Sequence, residues 1–236
     1  MHSTLTRSQL VRWHIAICAI FLASGLSIST WASRVPAIRE SLGIENSGVG
    51  LLLLGMGVAS IIGLSIAPAV MARIGARSGM LVALVLVGIG LAVIGFGADT
   101  LQLFGVALVG LALFGFGNGA VDVMMNVEGA ALEKATGRTI MPLLHAFFSF
   151  GTVIGAGLGF LAVSLDIPVM AHCVAMGVVI LVVAFVAVAN VPRAEVAMDA
   201  PAAEERAHWR ERLAVSLEAW REPRTYTLGV IMLGMA

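Results

Sequence analysis

Apolar positions in this chain do not alternate with polar ones; they run on for about twenty residues, break at short polar stretches and resume. Such runs match helices that cross a hydrocarbon core roughly 30 Å thick, whereas barrel strands would alternate. Six spans are expected, over residues 13–33, 48–71, 79–97, 101–127, 140–165 and 167–191. A seventh opens at Thr225 and reaches Ala236, which is too short to span.

Composition supports this reading. The chain is 59% hydrophobic and 12% charged, with a mean hydropathy of +1.00, against about half and a quarter in soluble domains. The chain is therefore expected in a lipid bilayer. Its formal net charge is zero, so bulk charge points to no nucleic-acid partner. Arg7 and Arg12 ahead of an apolar stretch could also mark a cleaved signal peptide. That stretch is longer than a usual signal core and leads into further spans, which favours a retained helix.

Orientation follows from the basic residues between spans. One side collects Arg7, Arg12, Arg73, Arg77, Lys134, Arg138 and the six arginines from 193 to 224; the other has only Arg34 and Arg39. This predicts a multi-pass protein of the bacterial inner membrane with its N-terminus in the cytoplasm. Cys18 and Cys173 fall near opposite faces, too far apart for a disulfide, and read as small apolar fillers.

The expected organisation is a cytoplasmic N-terminus (1–12), a transmembrane bundle (13–191), a cytoplasmic linker (192–224) and the start of a truncated seventh helix (225–236). In the linker, Trp209, Leu213, Leu217 and Trp220 recur at helical spacing among arginines. They fit either an amphipathic helix on the inner leaflet or a solvated connector.

The stretches "TWASRVPAIRESLG" (30–43) and "DVMMNVEGAALEKATGRTIMPLLHAFFSFG" (122–151) resemble the major facilitator superfamily, and within it a bacterial branch distantly similar to fucose-permease-type symporters. The resemblance covers essentially the whole chain. It implies an all-α membrane protein, the six-transmembrane-helix N-terminal half of the MFS fold plus the start of a seventh helix. It also implies a partner, either a missing C-terminal half or a second copy. The family's loop signature G-x-x-x-D-R-x-G-R-R/K is half present: Arg73, Gly75 and Arg77 fit, whereas Pro68 and Ala72 replace the first Gly and the Asp. The alternative for Arg73 and Arg77 is that they serve only to hold the loop inside the cell. In the fifth span "GTVIGAGLGF" lacks the Gly-Pro pair of antiporters.

Residues three, four and seven apart share a helix face. Gly115, Asn118, Gly119, Asp122, Met125, Asn126 and Gly129 therefore form one small and polar stripe on the fourth span. An acid near mid-membrane costs about 2.5–3.5 kcal/mol on insertion scales and usually marks an ion or substrate pathway. Withdrawal from water favours a neutral acid, which suits a group that takes up and releases a proton. The spacing of Gly119, Asp122 and Asn126 resembles the fourth span of fucose-permease-type proton symporters, and by that resemblance Asp122 is the proton-carrier candidate. The second acid that those symporters place before the Pro ending the first span is absent; Trp31, Ala32 and Arg34 precede Pro36 instead. The alternative for Asp122 is a bond to a neighbouring helix.

His145 is expected at a similar depth, on a face with Ser149 and Thr152, as proton relay or as packing histidine. On the first span Ser27, Trp31 and Arg34 continue a polar face that could line a substrate cavity. Trp31 and Arg34 also fit an interfacial belt. The steps Gly151, Gly155 and Gly159 suit close helix packing. No hydrolase, zinc or phosphate-loop motif is present, so neither enzyme activity nor a cofactor or metal is expected.

The chain is thus expected to be a secondary transporter, proton-coupled, moving a small polar solute such as a sugar or related metabolite by alternating access. Alternatives are a non-transporting membrane module, acting as assembly partner or sensor, and an efflux transporter for amphiphilic compounds.

Overall fold

The computed structural model describes residues 6–192. Their regular structure is helical: α1 (Arg7–Ala32), α2 (Val35–Ser41), α3 (Asn46–Gly95) running into a π-helical turn (Phe96–Thr100), α4 (Phe104–Thr136), α5 (Met141–Ser164) and α6 (Val169–Ala189).

Five helices among the described residues are long and apolar enough to cross a membrane, which corrects the expected six plus the start of a seventh. The stretches expected as second and third spans belong to one 50-residue element, α3. Helical geometry runs through the arginine-bearing segment between them, and only Gly75 departs from it, at φ 78° and ψ 159°. The expected seventh helix (225–236) and the linker after Pro192 lie outside the described residues.

A straight helix of that length would measure about 75 Å. Instead α3 reverses at Gly75, and Val70 lies against Gly79. Its first limb runs parallel to α4, with Met56 against Gly115 and Ser60 against Gly119. The second limb runs antiparallel, with Ile94 against Gly110 and Ala83 against Gly117. Helix α1 lies parallel to α5 in the same manner, Gly25 beneath Phe148 and Gly151 beneath Leu22. At each of these six contacts between helices a Cβ on the glycine would collide with a carbonyl oxygen or backbone nitrogen of the facing helix. Hydrocarbon supplies no hydrophobic drive for helix association, so dispersion at short range holds the bundle.

The helix ends have identifiable caps. Thr6 and Gln9 form a capping box on α1. Helix α4 continues nine residues beyond the expected boundary at 127, to Thr136, and stops where Gly137 turns left-handed at φ 65°. The Glu133 carboxylate then accepts from the backbone N–H groups of Ile140 at 2.6 Å and Met141 at 3.0 Å, serving otherwise orphaned donors at the start of α5. Large apolar side chains such as Ile61, Val153 and Phe160 point outward, as surfaces in contact with lipid do.

Gly75 occupies backbone space that is nearly exclusive to glycine. Gly75→Ala should destabilise the protein by about 1–3 kcal/mol, seen as a lower thermal midpoint in detergent. Gly57→Ala, on the same helix with open space around it, should leave the midpoint unchanged or raise it.

Candidate functional site

The small and polar stripe of α4 is divided by its neighbours. Gly115 and Gly119 are consumed in packing on α3, while Gly129 meets Met141 and Leu144 of α5. Met125 is buried at 1% exposure. Asn118, Asp122 and Asn126 remain half-buried along the side of α4 that approaches α1 and α5. Asn118 accepts a 3.3 Å hydrogen bond from Ser24 of α1. Asn126 donates to the Asp122 carbonyl at 2.8 Å and, at 3.5 Å, to its carboxylate Oδ1.

The three acids of α4 therefore differ in how well they are satisfied. Glu128 accepts from the indole Nε1 of Trp13 at 3.1 Å, and Glu133 holds two backbone N–H groups. Asp122 has only the one long contact, near the limit of a hydrogen bond. No backbone N–H among the described residues ties it down.

His145 stands on α5 with its ring edge-on to Phe21 of α1, centroids 5.4 Å apart. It is exposed, as is Ser149, and Thr152 beside them is half-buried. The imidazole lies within Coulombic reach of Asp122, with no hydrogen bond between them. Thr152 Oγ1 donates to the Ser149 carbonyl at 2.6 Å. Asn118 thus meets α1, Asp122 lies near Asn126 and His145, and Ser149 and Thr152 bond each other further along α5.

The polar face of α1 goes elsewhere. Ser27 is fully buried and its hydroxyl donates to the Ser24 carbonyl at 2.7 Å. Trp31 is 6% exposed, edge-on to Phe114 with centroids 6.1 Å apart, and its indole N–H has no partner. Arg34 is 4% exposed at the α1–α2 break, donating through Nη2 to the Ile167 carbonyl at 2.6 Å, while Nε and Nη1 find no acceptor. His172 is likewise buried, with both ring nitrogens unpartnered. Of the loop motif, Gly75 carries the reversal of α3, Arg73 is exposed and Arg77 half-buried beside Arg12.

Sequence reading missed Glu128, Glu133, Asp99 and His172. Hydropathy ends the fourth span at 127, although Leu132 continues the buried face beyond Gly129 and signals a longer helix. Asp99 accepts from the Met170 N–H at 2.7 Å, a pairing of segments far apart in sequence that leaves no local signal.

Residues 15–236 match the Major Facilitator Superfamily. The chain belongs to that superfamily. It is 34% identical over 175 residues to an uncharacterized transporter of Sinorhizobium fredii, covering 74% of this chain and 45% of the relative. It is 31% identical over 143 residues to an uncharacterized MFS-type transporter of Yersinia pestis, covering 58% of this chain and 35% of that protein. Membrane protein MosC of Rhizobium meliloti is 31% identical over 140 residues, 59% of this chain and 33% of its own length. The matches thus span less than half the length of these relatives, and none of the three carries a fucose-permease name. No solved structure matches the chain significantly. A superfamily of transporters places the chain among multi-pass membrane proteins and outside the enzymes.

In a background with Cys18 and Cys173 replaced by Ala, single cysteines at positions 118, 122 and 149 should react with a water-soluble maleimide. One at position 27, sealed between helices, should stay unlabelled until detergent denaturation. Equal labelling at all four positions would show that Asn118, Asp122 and Ser149 are no more accessible to water than Ser27.

Proposed function

We propose that this chain contributes half of a proton-coupled secondary transporter for a small polar, sugar-like solute. In this reading a second half or second copy covers the side of α4 that carries Asp122. Asp122 is the proton carrier. The observation that supports it is the unequal satisfaction of the three acids on α4, which leaves Asp122 alone held by a single 3.5 Å amide contact. A carboxylate fastened by several donors would lose those bonds on protonation, and Glu133 is such a group. Asp122 can change charge at little cost in hydrogen bonds, as a group that cycles between two protonation states must.

His145 is the relay partner in this proposal, close to Asp122 but not hydrogen-bonded to it, so no fixed pair stands between them. Asn118, Asn126, Ser149 and Thr152 supply the donors and acceptors that a hydroxylated solute needs. The close glycine contacts of α1 with α5 and of α3 with α4 suit pairs of helices that rock together about a central site. Kinship to the fucose-permease branch rests on the spacing of Gly119, Asp122 and Asn126. The arginine-rich end faces the cytoplasm by the distribution of basic residues.

The test is solute uptake in cells expressing the protein, across a panel of sugars and related metabolites, with and without an imposed proton gradient. Asp122→Asn should abolish gradient-driven accumulation while leaving counterflow exchange. Gradient-driven uptake that survives Asp122→Asn unchanged would refute the coupling role. A polypeptide that moves no member of the panel, and forms no larger complex on native gels, would speak for a non-transporting module.

A further inference from the structure

Two cavities meet at the end of the bundle where α1 begins, α3 reverses and α6 ends. The first, about 220 Å³, is lined on its polar side by Gln9, Arg12, Arg77 and Asn190. The second, about 370 Å³, is a groove between α1 and α6 walled by Ile15, Ala19, Val182 and Val186. Arg12 and Asn190 belong to both, so a charged chamber opens directly into an apolar channel.

Among the described residues no carboxylate lines either cavity. The last carbonyls of α6 bring about half a negative charge to the chamber, and two guanidinium groups outweigh it. Neither arginine hydrogen-bonds to another described residue, and the Asn190 amide is engaged only with the Val186 carbonyl of its own helix, at 2.8 Å. Paired guanidinium forks present donors in the geometry that phosphate oxygens accept. The groove runs from residue 12 to residue 19 on α1, about 10 Å along the helix axis. It leads from the chamber toward the apolar middle of the bundle. A soluble phosphate or an acidic peptide would use the chamber and leave the groove empty; a phospholipid uses both.

We propose that this composite cavity binds one anionic phospholipid, its phosphate held by Arg12 and Arg77 and the upper part of one acyl chain lying between α1 and α6. Basic pockets between membrane helices hold such headgroups elsewhere. Because Arg77 follows the reversal at Gly75 and Arg12 lies on α1, the lipid bridges three helices at one end of the bundle. This site is separate from the Asp122 face and does not depend on the solute.

The test is native mass spectrometry of the full chain in detergent, titrated with phosphatidylglycerol or with phosphatidylcholine of the same acyl chains. Wild-type protein should retain one phosphatidylglycerol about tenfold more strongly than phosphatidylcholine, a gain expected of two arginines near a charged headgroup. Arg12→Gln with Arg77→Gln should erase that preference, and thermal melting should confirm that the variant is folded. The single variants Arg12→Gln and Arg77→Gln provide the same readout if the double variant unfolds. Ala19→Phe, which fills the groove and leaves the charges in place, should also weaken phosphatidylglycerol retention. Equal retention of the two lipids by wild type would overturn the proposal. So would full displacement by millimolar inorganic phosphate together with no effect of Ala19→Phe, the signature of a free-phosphate pocket.

Discussion

The contact on which the rest of the structure depends is glycine backbone against facing backbone. At Gly25 with Phe148, Gly151 with Leu22, Gly63 with Phe116 and Gly119 with Ser60, the absence of a side chain lets one helix settle onto the carbonyls of another. In lipid, where hydrocarbon on hydrocarbon gains nothing from expelling water, this short-range dispersion replaces the hydrophobic drive. Two parallel pairs, α1 with α5 and the first limb of α3 with α4, are built by the same device. Everything polar in the bundle is arranged around them.

Those pairings decide where each polar side chain goes. Glycine at 115 and 119 draws one edge of α4 onto α3, so the adjacent edge with Asn118, Asp122 and Asn126 is left for α1 and α5. Close approach of α1 to α5 carries Phe21 against His145 and sets the imidazole near α4. The placement of Asp122 beside His145 is therefore a by-product of how the two seams pack. Ser27 and Trp31 lie on the sealed side of α1, among neighbouring helices.

The ends of the bundle have different chemistry. Near the α1–α2 break, Arg34 and His172 are buried with donors and ring nitrogens unpaired, and Asp99 holds the first turn of α6. At the opposite end Arg12 and Arg77 share a chamber that opens onto an apolar groove. One end ties elements together through buried polar groups, and at the other, among the described residues, two arginines have no hydrogen-bond partner. This asymmetry matches the skewed distribution of basic residues along the chain.

The sequence by itself determined that the chain is helical and membrane-embedded, because continuous apolar runs of spanning length admit few other structures in a bilayer. It also singled out Asp122 and the Gly119–Asn126 spacing, since an acid inside such a run stands out locally and i, i+4 neighbours on a helix are fixed by its pitch. Only the tertiary structure decided that the polar stretch between two expected spans stays helical up to a single reversal at Gly75, joining them into α3, because whether such a stretch stays helical depends on what packs on both sides of it. Only it showed Glu128 bound to Trp13 and Asp99 capping α6, contacts across 115 and 71 residues of chain. Such pairings follow from which helices lie side by side, and no local pattern of residues records that.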